Sequence, residues 1–423
     1  MTKRLFLVCC LVLFVAPSCF ADGVIRDGIG AVSTGRGGVN IGFADTGQMI
    51  LENPAAIVNM PSMRLREFGF DLLFSDLDYT DTDNPRTSAA NNPFPMGQLS
   101  VAFKNPNSDL GIGFGIFPQA GFASEYDING PVPISGLQNY KSVGALVRFL
   151  PAISYRITER LSIGANLGVA VNHMELEGPY FLQGPNPFVG TPTRFDFQGT
   201  GASLSWAAGL QYLLTPRTTI GANYQSQTNF NLNGNTFVEI PGLGSSRFDS
   251  ELDISWPQSL GLGLKHQLNP ITRVGVDVVW FDWSRAFDQF DMTLQDPENP
   301  VFAAVIGNRL EEQFPLRWRD TISVKLGVER DLTSGSVLRA GYVYHRNPIP
   351  EETLTPFIQT TLEHAFSFGY GWQTPTGEID LAYQYSFSDE QSVGTSDFVG
   401  GDFDNATHNT RAHWLSISHI SRF

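Results

Sequence analysis

Residues 28–56 read GIGAVSTGRGGVNIGFADTGQMILENPAA, a stretch with seven glycines that ends in Asn53-Pro54-Ala55. Neither an amphipathic helix nor an alternating strand fits this stretch, because glycine disfavours both and the apolar residues follow no regular period. From about Ser62 the sequence changes to short runs of alternating apolar and polar residues. A glycine-rich segment followed by many strands favours a plug inside a barrel. The competing interpretation is a flexible N-terminal tail.

The rest of the chain is predicted to form the strands of a transmembrane β-barrel. In such a barrel, lipid-facing apolar residues recur at every second position over about 9 to 11 residues or more. Fourteen rows of this kind can be counted, and bacterial barrels have an even number of strands. The rows lie at 68–74, 99–103, 112–116, 143–157, 161–171, 204–214, 220–224, 254–264, 274–280, 322–328, 338–344, 366–372, 379–387 and 413–423.

The connections between these rows alternate strictly between tight turns and long loops. Short turns on the periplasmic side and long loops outside are typical of a barrel with both termini in the periplasm. A soluble β-sandwich has no reason to keep such an asymmetry. The turns lie at 105–109, 158–160, 215–217, 268–270, 330–335 and 374–377, and the loops at 76–95, 123–138, 178–193, 230–250, 284–316, 347–360 and 388–411.

Residues 1–21 are predicted to be a secretory signal peptide. Lys3 and Arg4 precede an apolar run at 5–15, which is too short to cross a membrane as a helix, and Cys19-Phe20-Ala21 fits a cleavage site. A lipoprotein signal acylated at Cys19 is the competing interpretation. All three cysteines lie in this segment, so no disulfide or thiolate site is expected in the mature chain.

Charge and motifs narrow the classes of function. Cleavage would leave 25 basic against 42 acidic residues, a net charge of −17, which argues against nucleic acid as a partner. The chain has no Gly-x-Ser-x-Gly elbow, no phosphate loop and no His-Glu-x-x-His motif. We therefore expect no catalytic residues, no cofactor and no metal site. A lipase with serine and histidine on the barrel wall would carry no such motif, so that alternative stays open.

Several motifs, taken in order, make the chain resemble the FadL family of outer-membrane transporters of long-chain fatty acids and aromatic hydrocarbons. The resemblance implies a signal peptide at 1–21, an N-terminal hatch at 22–61 and a fourteen-stranded barrel at 62–423. The motifs are GRGG at 35–38, NPA at 53–55, PAISYR at 151–156 with LSIG at 161–164, WP at 256–257 with WS at 283–284, and FP at 314–315 with WRD at 318–320, LRAGY at 338–342 and NP at 347–348.

The resemblance also implies a route for an apolar ligand. The ligand would pass from the outer loops to a pocket beside the hatch and leave sideways through a kink in the third strand. Gly37, Gly38 and Asn53-Pro54-Ala55 would form the gate of the hatch. Pro118, Gly121 and Phe122 would form the kink, because proline removes a ladder donor and glycine allows a bulge. Alternatively, Pro118 simply ends the strand near the membrane surface.

Two groups of residues are candidates for contacting the ligand. Apolar residues in the outer loops could capture it, although packing of loop on loop would use the same residues. Strand parity directs three cations inward, where they could bind a carboxylate or pair with acids of the lumen. The loop residues are Tyr180, Phe181, Leu182, Phe188, Phe237, Ile240 and Leu243, and the cations are Arg148, Lys325 and Arg339.

The sequence thus predicts an all-β outer-membrane protein of a Gram-negative bacterium that takes up hydrophobic small molecules passively. Long-chain fatty acids are the first substrate class, and aromatic hydrocarbons are the alternative. A general porin and a structural or adhesive barrel are the rival functions. Membrane lipid and lipopolysaccharide are the expected surroundings, and the family resemblance implies a monomer.

Overall fold

The computed structural model describes residues 24–90, 92–184 and 186–423. The predicted signal peptide and its three cysteines lie outside these residues. The described chain is mostly strand, and the strands are β1 (Arg64–Thr80), β2 (Thr87–Ser88), β3 (Phe94–Lys104), β4 (Leu110–Asn129), β5 (Leu137–Arg156), β6 (Leu161–Phe181), β7 (Pro192–Thr215), β8 (Thr218–Gln225), β9 (Thr228–Ile240), β10 (Gly244–Trp256), β11 (Ser259–Asn269), β12 (Thr272–Phe281), β13 (Gln289–Gln295), β14 (Arg309–Pro315), β15 (Thr321–Asp331), β16 (Val337–Tyr344), β17 (His364–Thr374), β18 (Gly377–Phe387), β19 (Gln391–Ser392) and β20 (Thr407–Arg422).

These strands form one closed antiparallel barrel with a wall of 14 strands, as the sequence predicts. The wall closes because β1 pairs along its length with β20 on one side and with β3 on the other. Strands seven to ten of the wall are each interrupted once, so they consist of β8 with β9, β10 with β11, β12 with β13, and β14 with β15. The short β2 and β19 only extend the outer edge.

Alternation along the strands separates a lipid-facing side from an interior side. In β1, for example, Phe68 and Phe70 are exposed, whereas Leu65, Glu67 and Asp71, which have the opposite parity, are buried. Polar residues on the interior side are tolerated because they find partners there, whereas a polar residue on the outer side would face hydrocarbon. The period-two pattern therefore fixes the register of the wall.

The predicted tight turns are confirmed, but the loop predicted at 230–250 is wrong. In that region β9 continues to Ile240 and β10 begins at Gly244, so only a three-residue turn joins them. The inner face of this extension carries the buried apolar residues Leu232, Val238 and Phe248 together with small hydroxyl residues, while Asn231 and Asn233 are exposed on the outer face. Strands 7 to 10 of the wall therefore rise above the membrane as a paired sheet instead of ending in loose loops.

The segment before the first strand occupies the interior of the barrel. It contains helix α1 (Ala31–Gly35), helix α2 (Met49–Glu52) and a 3-10 helix (Pro54–Asn59), and nearly all of its residues are buried. Two further helices lie later in the chain: α3 (Trp283–Ala286) lies in the interruption between β12 and β13, and α4 (Pro300–Ile306) lies in the outer connection between β13 and β14. In the part of the chain that the structure describes, every helix is too short or too polar to cross a membrane.

Candidate functional site

Short hydrogen bonds attach the Asn53-Pro54-Ala55 triplet to the barrel wall. The Asn53 side-chain amide donates to the carbonyl oxygens of Ile41 (2.8 Å) and Leu210 (3.1 Å). Pro54 begins the 3-10 helix, where its missing N–H costs nothing. The carbonyl of Ala55 accepts from the hydroxyls of two wall serines, at 3.1 and 2.9 Å. The triplet is therefore a fixed anchor between the interior segment and the strands β5 to β7.

Two of the predicted hatch glycines are required by close backbone approach. Gly37 has φ +68°, and a Cβ there would lie 3.0 Å from the carbonyl oxygen of Leu326. Gly38 has φ +70°, and a Cβ there would lie 1.8 Å from the carbonyl oxygen of Asp27. Positive φ and the absence of free space both exclude larger residues. The GRGG motif therefore lets the segment turn directly against the wall and against its own leading residues.

At the periplasmic end, buried charges join the interior segment to the wall. Arg36 of the segment contacts Asp45 of the same segment at 2.9 Å and Glu329 of β15 at 3.3 Å. Arg339 of β16 contacts Glu329 at 2.9 Å, and it also contacts Glu378 (3.0 Å) and Asp380 (2.5 Å) of β18. We call this group, Arg36, Asp45, Glu329, Arg339, Glu378 and Asp380, the periplasmic floor.

The predicted kink in β4 is a β-bulge that the strand passes through without ending. Pro118 pairs with Val147 of β5, and Ala120 pairs with Leu146, so Gln119 is an extra residue that has no pairing partner on β5. Because side chains alternate between the two faces of a strand, one extra residue reverses the side to which every later side chain points. Phe122 therefore points inward, whereas an uninterrupted alternation would turn it to the lipid.

The wall has a gap on the other side of this bulge. β4 pairs with β3 only as far as Ile116, opposite Leu99. Beyond that point β3 continues upward along β1 to Phe94, and β4 continues along β5, but the two strands no longer pair with each other. We call this opening between β3 and β4 the wall gap.

The first described residues, 24–27, pair with β4 at the bulge, and we call them the leading segment. Ile25 forms an isolated antiparallel bridge with Ala120. The amide of Arg26 donates to the Gln119 carbonyl (3.1 Å), and the amide of Gly121 donates to the Val24 carbonyl (3.3 Å). The leading segment thus takes up backbone groups of β4 that have lost their partner strand.

The side chain of Arg26 holds the leading segment to strands on both sides of the wall gap. Its guanidinium lies 2.8 Å from the carboxylate of Asp71 on β1 and donates to the Pro118 carbonyl on β4 at 3.2 Å. It also lies 4.7 Å from the ring centroid of Trp414. Both partners of the ion pair are buried, so neither is screened by water. No pattern in the sequence indicates this role, because a single arginine has no distinctive context.

A cavity of about 80 Å³ lies beside the leading segment. One water needs on the order of 10–15 Å³ of such space, so the cavity has room for a small organic group. Its wall is mixed, with apolar side chains, several hydroxyls and amides, and the charged residues Arg26, Asp27 and Arg411. The lining comprises the leading segment, the stretch of β4 after the bulge, inward residues of β1 and β20, and the connection at 357–362, with Leu73, Leu77, Phe122, Phe357, Gln359 and Trp414 among its side chains.

The predicted capture residues lie in paired sheet extensions and in a loop packed on them. Tyr180 and Phe181 belong to the end of β6, and Phe237 and Ile240 belong to β9. Tyr180 stacks on Phe314 with ring centroids 4.4 Å apart, and it also packs edge-on against Phe195. Tyr180, Leu182, Phe195 and Ile240 belong to one buried apolar cluster, which we call the outer apolar cluster, and Phe188 and Leu243 pack against it.

An ionisable group outside the membrane holds an outer connection to this cluster. The Tyr140 hydroxyl donates to the carboxylate of Asp402 at 3.1 Å. Burial raises the pKa of Asp402 to about 7, the hydrogen bond from Tyr140 lowers it, and the negative charges of Asp81 and Asp83 raise it further. Phe403, the next residue, packs edge-on against Phe357, which lines the cavity.

The three predicted interior cations lie in different surroundings, although all are buried. Arg339 contacts three carboxylates of the periplasmic floor. The ammonium of Lys325 donates to the Asp27 carbonyl (3.0 Å) and lies 3.9 Å from the Asp27 carboxylate. Arg148 donates to the Ser205 hydroxyl, and among the described residues no carboxylate lies within ion-pair distance of it.

No group of side chains in the described residues has the composition of a metal site. A comparison with curated proteins finds no significant match. Similar solved structures include a Pseudomonas aeruginosa FadL homologue (18% identity, TM-score 0.75, covering 95% of this chain and 100% of that one). The toluene transporter TodX of Pseudomonas putida (19%, 0.77, 94% and 99%) and the toluene transporter TbuX of Ralstonia pickettii (19%, 0.73, 94% and 99%) are also similar.

At these identities the solved structures show the fold. The sequence itself matches the family described as outer membrane protein transport protein (OMPP1/FadL/TodX) over residues 12–423. This match covers nearly the whole chain, and it agrees with the barrel, its aromatic and aliphatic outer belt, and the filled interior described above. The protein is an outer-membrane β-barrel that belongs to the OMPP1/FadL/TodX transport family.

Proposed function

We propose that this protein lets hydrophobic small molecules diffuse from outside the cell into the outer membrane, without coupling to an energy source. The observation that carries the proposal is the wall gap beside the cavity, which in the described part of the chain is bridged by the leading segment. A ligand in the cavity would be separated from membrane lipid by the leading segment, which a few backbone hydrogen bonds and the ion pairs of Arg26 and Asp27 hold in place. Partition of apolar surface from water into protein and then into lipid would drive the transfer.

The route begins at the outer apolar cluster and ends at the wall gap. Tyr180, Phe181, Leu182, Phe188, Phe237, Ile240 and Leu243 would supply the apolar surface over which a ligand reaches the cavity. Pro118, Gly121 and Phe122 would form the exit, because the bulge at Gln119 separates β4 from β3 while keeping it on β5. Displacement of the leading segment would open this exit.

The hatch would gate this route through the leading segment, while the rest of the hatch, residues 28–61, which we call its body, would stay in place. Asn53, Pro54 and Ala55 anchor the body to the wall, and Gly37 and Gly38 set the turn that brings the leading segment back beside the body. The charged periplasmic floor makes a straight passage to the periplasm unfavourable for an apolar molecule. A sideways exit avoids both the anchor and the floor.

Long-chain fatty acids are the substrate class that we propose first, with Arg148 as the partner of the carboxylate. Arg148 is the interior cation that the carboxylates of the described residues leave uncompensated. Lys325 and Arg339 already contact acids, so they would serve the fold and the gate. Aromatic hydrocarbons are the second candidate, because the cavity is small and two similar structures are toluene transporters.

Uptake of a labelled long-chain fatty acid and of labelled toluene tests the proposal in cells that lack their own transporters. The informative variant deletes Gln119 and carries Pro118→Val, which removes the bulge and lets β4 continue along β3. Pro151→Val on β5, opposite Phe114, is the matched control away from the wall gap. We expect uptake by the wild type and the control, and loss of uptake in the deletion variant.

Three results would contradict the proposal. Uptake that persists in the deletion variant, in a barrel shown to be folded by its heat-modifiable mobility on gels, would exclude an exit through the wall gap. Uptake of small hydrophilic sugars in place of both apolar probes would indicate a general porin. Uptake of none of the probes would favour the structural or adhesive barrel.

A further inference from the structure

An open groove of about 560 Å³ lies at the periplasmic end of the wall, where β1, β3 and β4 meet. Its lining includes Met63, Arg64, Leu110, Ile112 and Phe423, and we call it the rim groove. The four apolar residues among these are 40% to 55% exposed. Apolar surface at the edge of the lipid-facing wall is stable against lipid chains, whereas it would be unfavourable against water.

The register of the strands places two arginines at the lower edge of the apolar belt. Arg64 and Arg66 continue the outward-facing row of β1 that contains Phe68. In the neighbouring strand, Arg64 is opposite Phe103 and Arg66 is opposite Val101. The two arginines therefore stand where the apolar row of β1 ends, and long cationic side chains at such positions can reach the lipid headgroups.

No carboxylate of the described residues forms an ion pair with either of these arginines. The guanidinium of Arg66 lies 5.4 Å from the ring centroid of Phe423, which keeps it beside the rim groove. Asp109, in the turn after β3, lies 4.0 Å from Arg156 instead. In a chain with 42 acidic and 27 basic residues, two neighbouring cations without a carboxylate indicate an anion from outside the protein.

The charge of the rim groove distinguishes it from two other open grooves on the lipid-facing wall. One of these lies across β5 to β8 and β11, and the other across β1, β17, β18 and β20, and neither has a charged residue in its lining. The rim groove also contains Lys104, whose ammonium donates to the Met60 carbonyl and adds to the positive field. Its pattern of apolar surface with cations at one end matches a lipid with an anionic headgroup.

We propose that Arg64, Arg66 and the rim groove bind an anionic phospholipid from the periplasmic leaflet of the membrane. The two guanidinium groups donate to the phosphate, while the acyl chains lie against Leu110 and Ile112. Above the rim groove, β3 and β4 pair over six residues only, so the bound lipid lies beneath the wall gap. The inference stands on the lipid-facing surface and does not depend on the proposed uptake.

The experiment measures lipid binding to the purified barrel in detergent by native mass spectrometry. The probes are dioleoylphosphatidylglycerol, which is anionic, and dioleoylphosphatidylethanolamine, which has the same chains but no net charge. The variant is Arg64→Gln with Arg66→Gln. The matched control is Arg160→Gln with Arg217→Gln, which removes the same charge from exposed arginines in two other periplasmic turns. Heat-modifiable mobility on gels shows that each barrel is folded.

We expect the wild type and the control to bind phosphatidylglycerol about ten- to thirtyfold more tightly than phosphatidylethanolamine, as two cations near a charged lipid surface predict. The Arg64→Gln, Arg66→Gln variant should bind both lipids with equal affinity. Inorganic phosphate at the same concentration as the lipid should not displace phosphatidylglycerol, because it makes no contact with the apolar part of the rim groove.

Four results would overturn the inference. They are equal affinities of the wild type for the two lipids, a preference that survives in the Arg64→Gln, Arg66→Gln variant, an equal loss of preference in the control, and displacement by inorganic phosphate. The third would assign the preference to the overall charge of the periplasmic end, and the fourth would assign the arginines to a free anion. Each of these results leaves the proposed uptake untouched, because uptake is measured with other probes in cells.

Discussion

The interior of this barrel is organised differently at its two levels. At the periplasmic floor, each arginine contacts more than one carboxylate, and the contacts join the interior segment to β15, β16 and β18. At the level of the wall gap, the ion pairs Arg26–Asp71 and Lys325–Asp27 and a few hydrogen bonds hold the leading segment, and Arg148 donates to a hydroxyl with no carboxylate of the described residues in reach. Arginines at the periplasmic floor therefore hold the interior segment firmly through several carboxylates. At the level of the wall gap, Arg148 can exchange its hydroxyl partner for another acceptor.

This difference suggests how one segment can both block and open a channel. A buried ion network is strongly destabilised when one member is removed, so the floor has to stay complete. A segment of four residues, held by two ion pairs and a few backbone hydrogen bonds, can separate at lower cost by local opening. Opening at the wall gap would then leave the body of the hatch and the floor intact.

The largest effect is expected from breaking the floor. Arg339→Met leaves Glu329, Glu378 and Asp380 close together without their shared cation, which should lower the free energy of unfolding by about 3–5 kcal/mol. The measurement is urea unfolding of the purified barrel in detergent. Arg86→Met, which removes an exposed arginine beside Asp78, is the control, and we expect no measurable change there.

A small effect of Arg339→Met would contradict the comparison. It would mean that the three carboxylates take up protons or rearrange, and that the floor is not a lock. The double variant Arg339→Met with Asp380→Asn separates these outcomes, because it should recover part of the loss if uncompensated charge is the cause.

The second prediction concerns the ion pair that holds the leading segment. Arg26→Met combined with Asp71→Asn removes both charges and leaves no buried carboxylate uncompensated. Local opening at the wall gap should become about ten- to a hundredfold more frequent, which corresponds to the loss of a charge-assisted hydrogen bond. The readout is hydrogen exchange of the Gly121 amide, which donates to the Val24 carbonyl.

The amide of Gly38 provides the internal control for this variant. It donates to the Ser33 carbonyl at 2.8 Å within the body of the hatch. Its exchange should not change if only the leading segment moves. Equal acceleration at Gly38 and Gly121 would show that the hatch loosens as a whole, and the proposed division between its body and its leading segment would be wrong.

The sequence predicts the wall well because the wall obeys one simple rule. Alternation such as that of Phe68 and Phe70 is imposed by lipid on one side and the interior on the other, so it is visible residue by residue. The same rule fails at 230–250, where the sheet continues above the membrane and the apolar belt ends. There, Asn231 and Asn233 suggest a loop, although the inward residues between them still form a strand.

The candidate site is less predictable, because its contacts join residues far apart in sequence. Pro118 and Gly121 reveal an irregular strand, but nothing in the sequence shows which residue is the extra one or which neighbour is lost. The partners of Gln119, Arg26 and Arg148 lie 106, 45 and 57 residues away. Such pairings depend on the register of the closed barrel, which a local pattern does not contain.

The third prediction sharpens the comparison between the two kinds of arginine. Arg148→Met should raise the concentration of fatty acid needed for half-maximal uptake by about tenfold or more, because a charge-assisted hydrogen bond to the carboxylate is lost. Uptake of toluene should be unchanged. Unlike Arg339→Met, this variant should not lower the free energy of unfolding, since no buried carboxylate loses its partner. Equal loss of uptake for both ligands would contradict the carboxylate role.

The smallest effect is expected in the outer connection at 388–406, where the carboxylate of Asp402 accepts a hydrogen bond from the Tyr140 hydroxyl. Because burial raises the pKa of Asp402 to about 7, ionisation opposes the packed position of its connection. The stabilisation is complete below the ordinary aspartate pKa of about 4 and is lost progressively as the pH rises towards 7. Exchange of amides at 388–406, corrected for the intrinsic rate, should therefore increase across this range by at most about tenfold per pH unit, the limit for one proton.

Asp402→Asn should abolish the pH dependence, whereas the amide of Gly38 should show none in either protein. A pH dependence that survives in Asp402→Asn would assign the effect to Asp81 or Asp83, the two carboxylates that face Asp402.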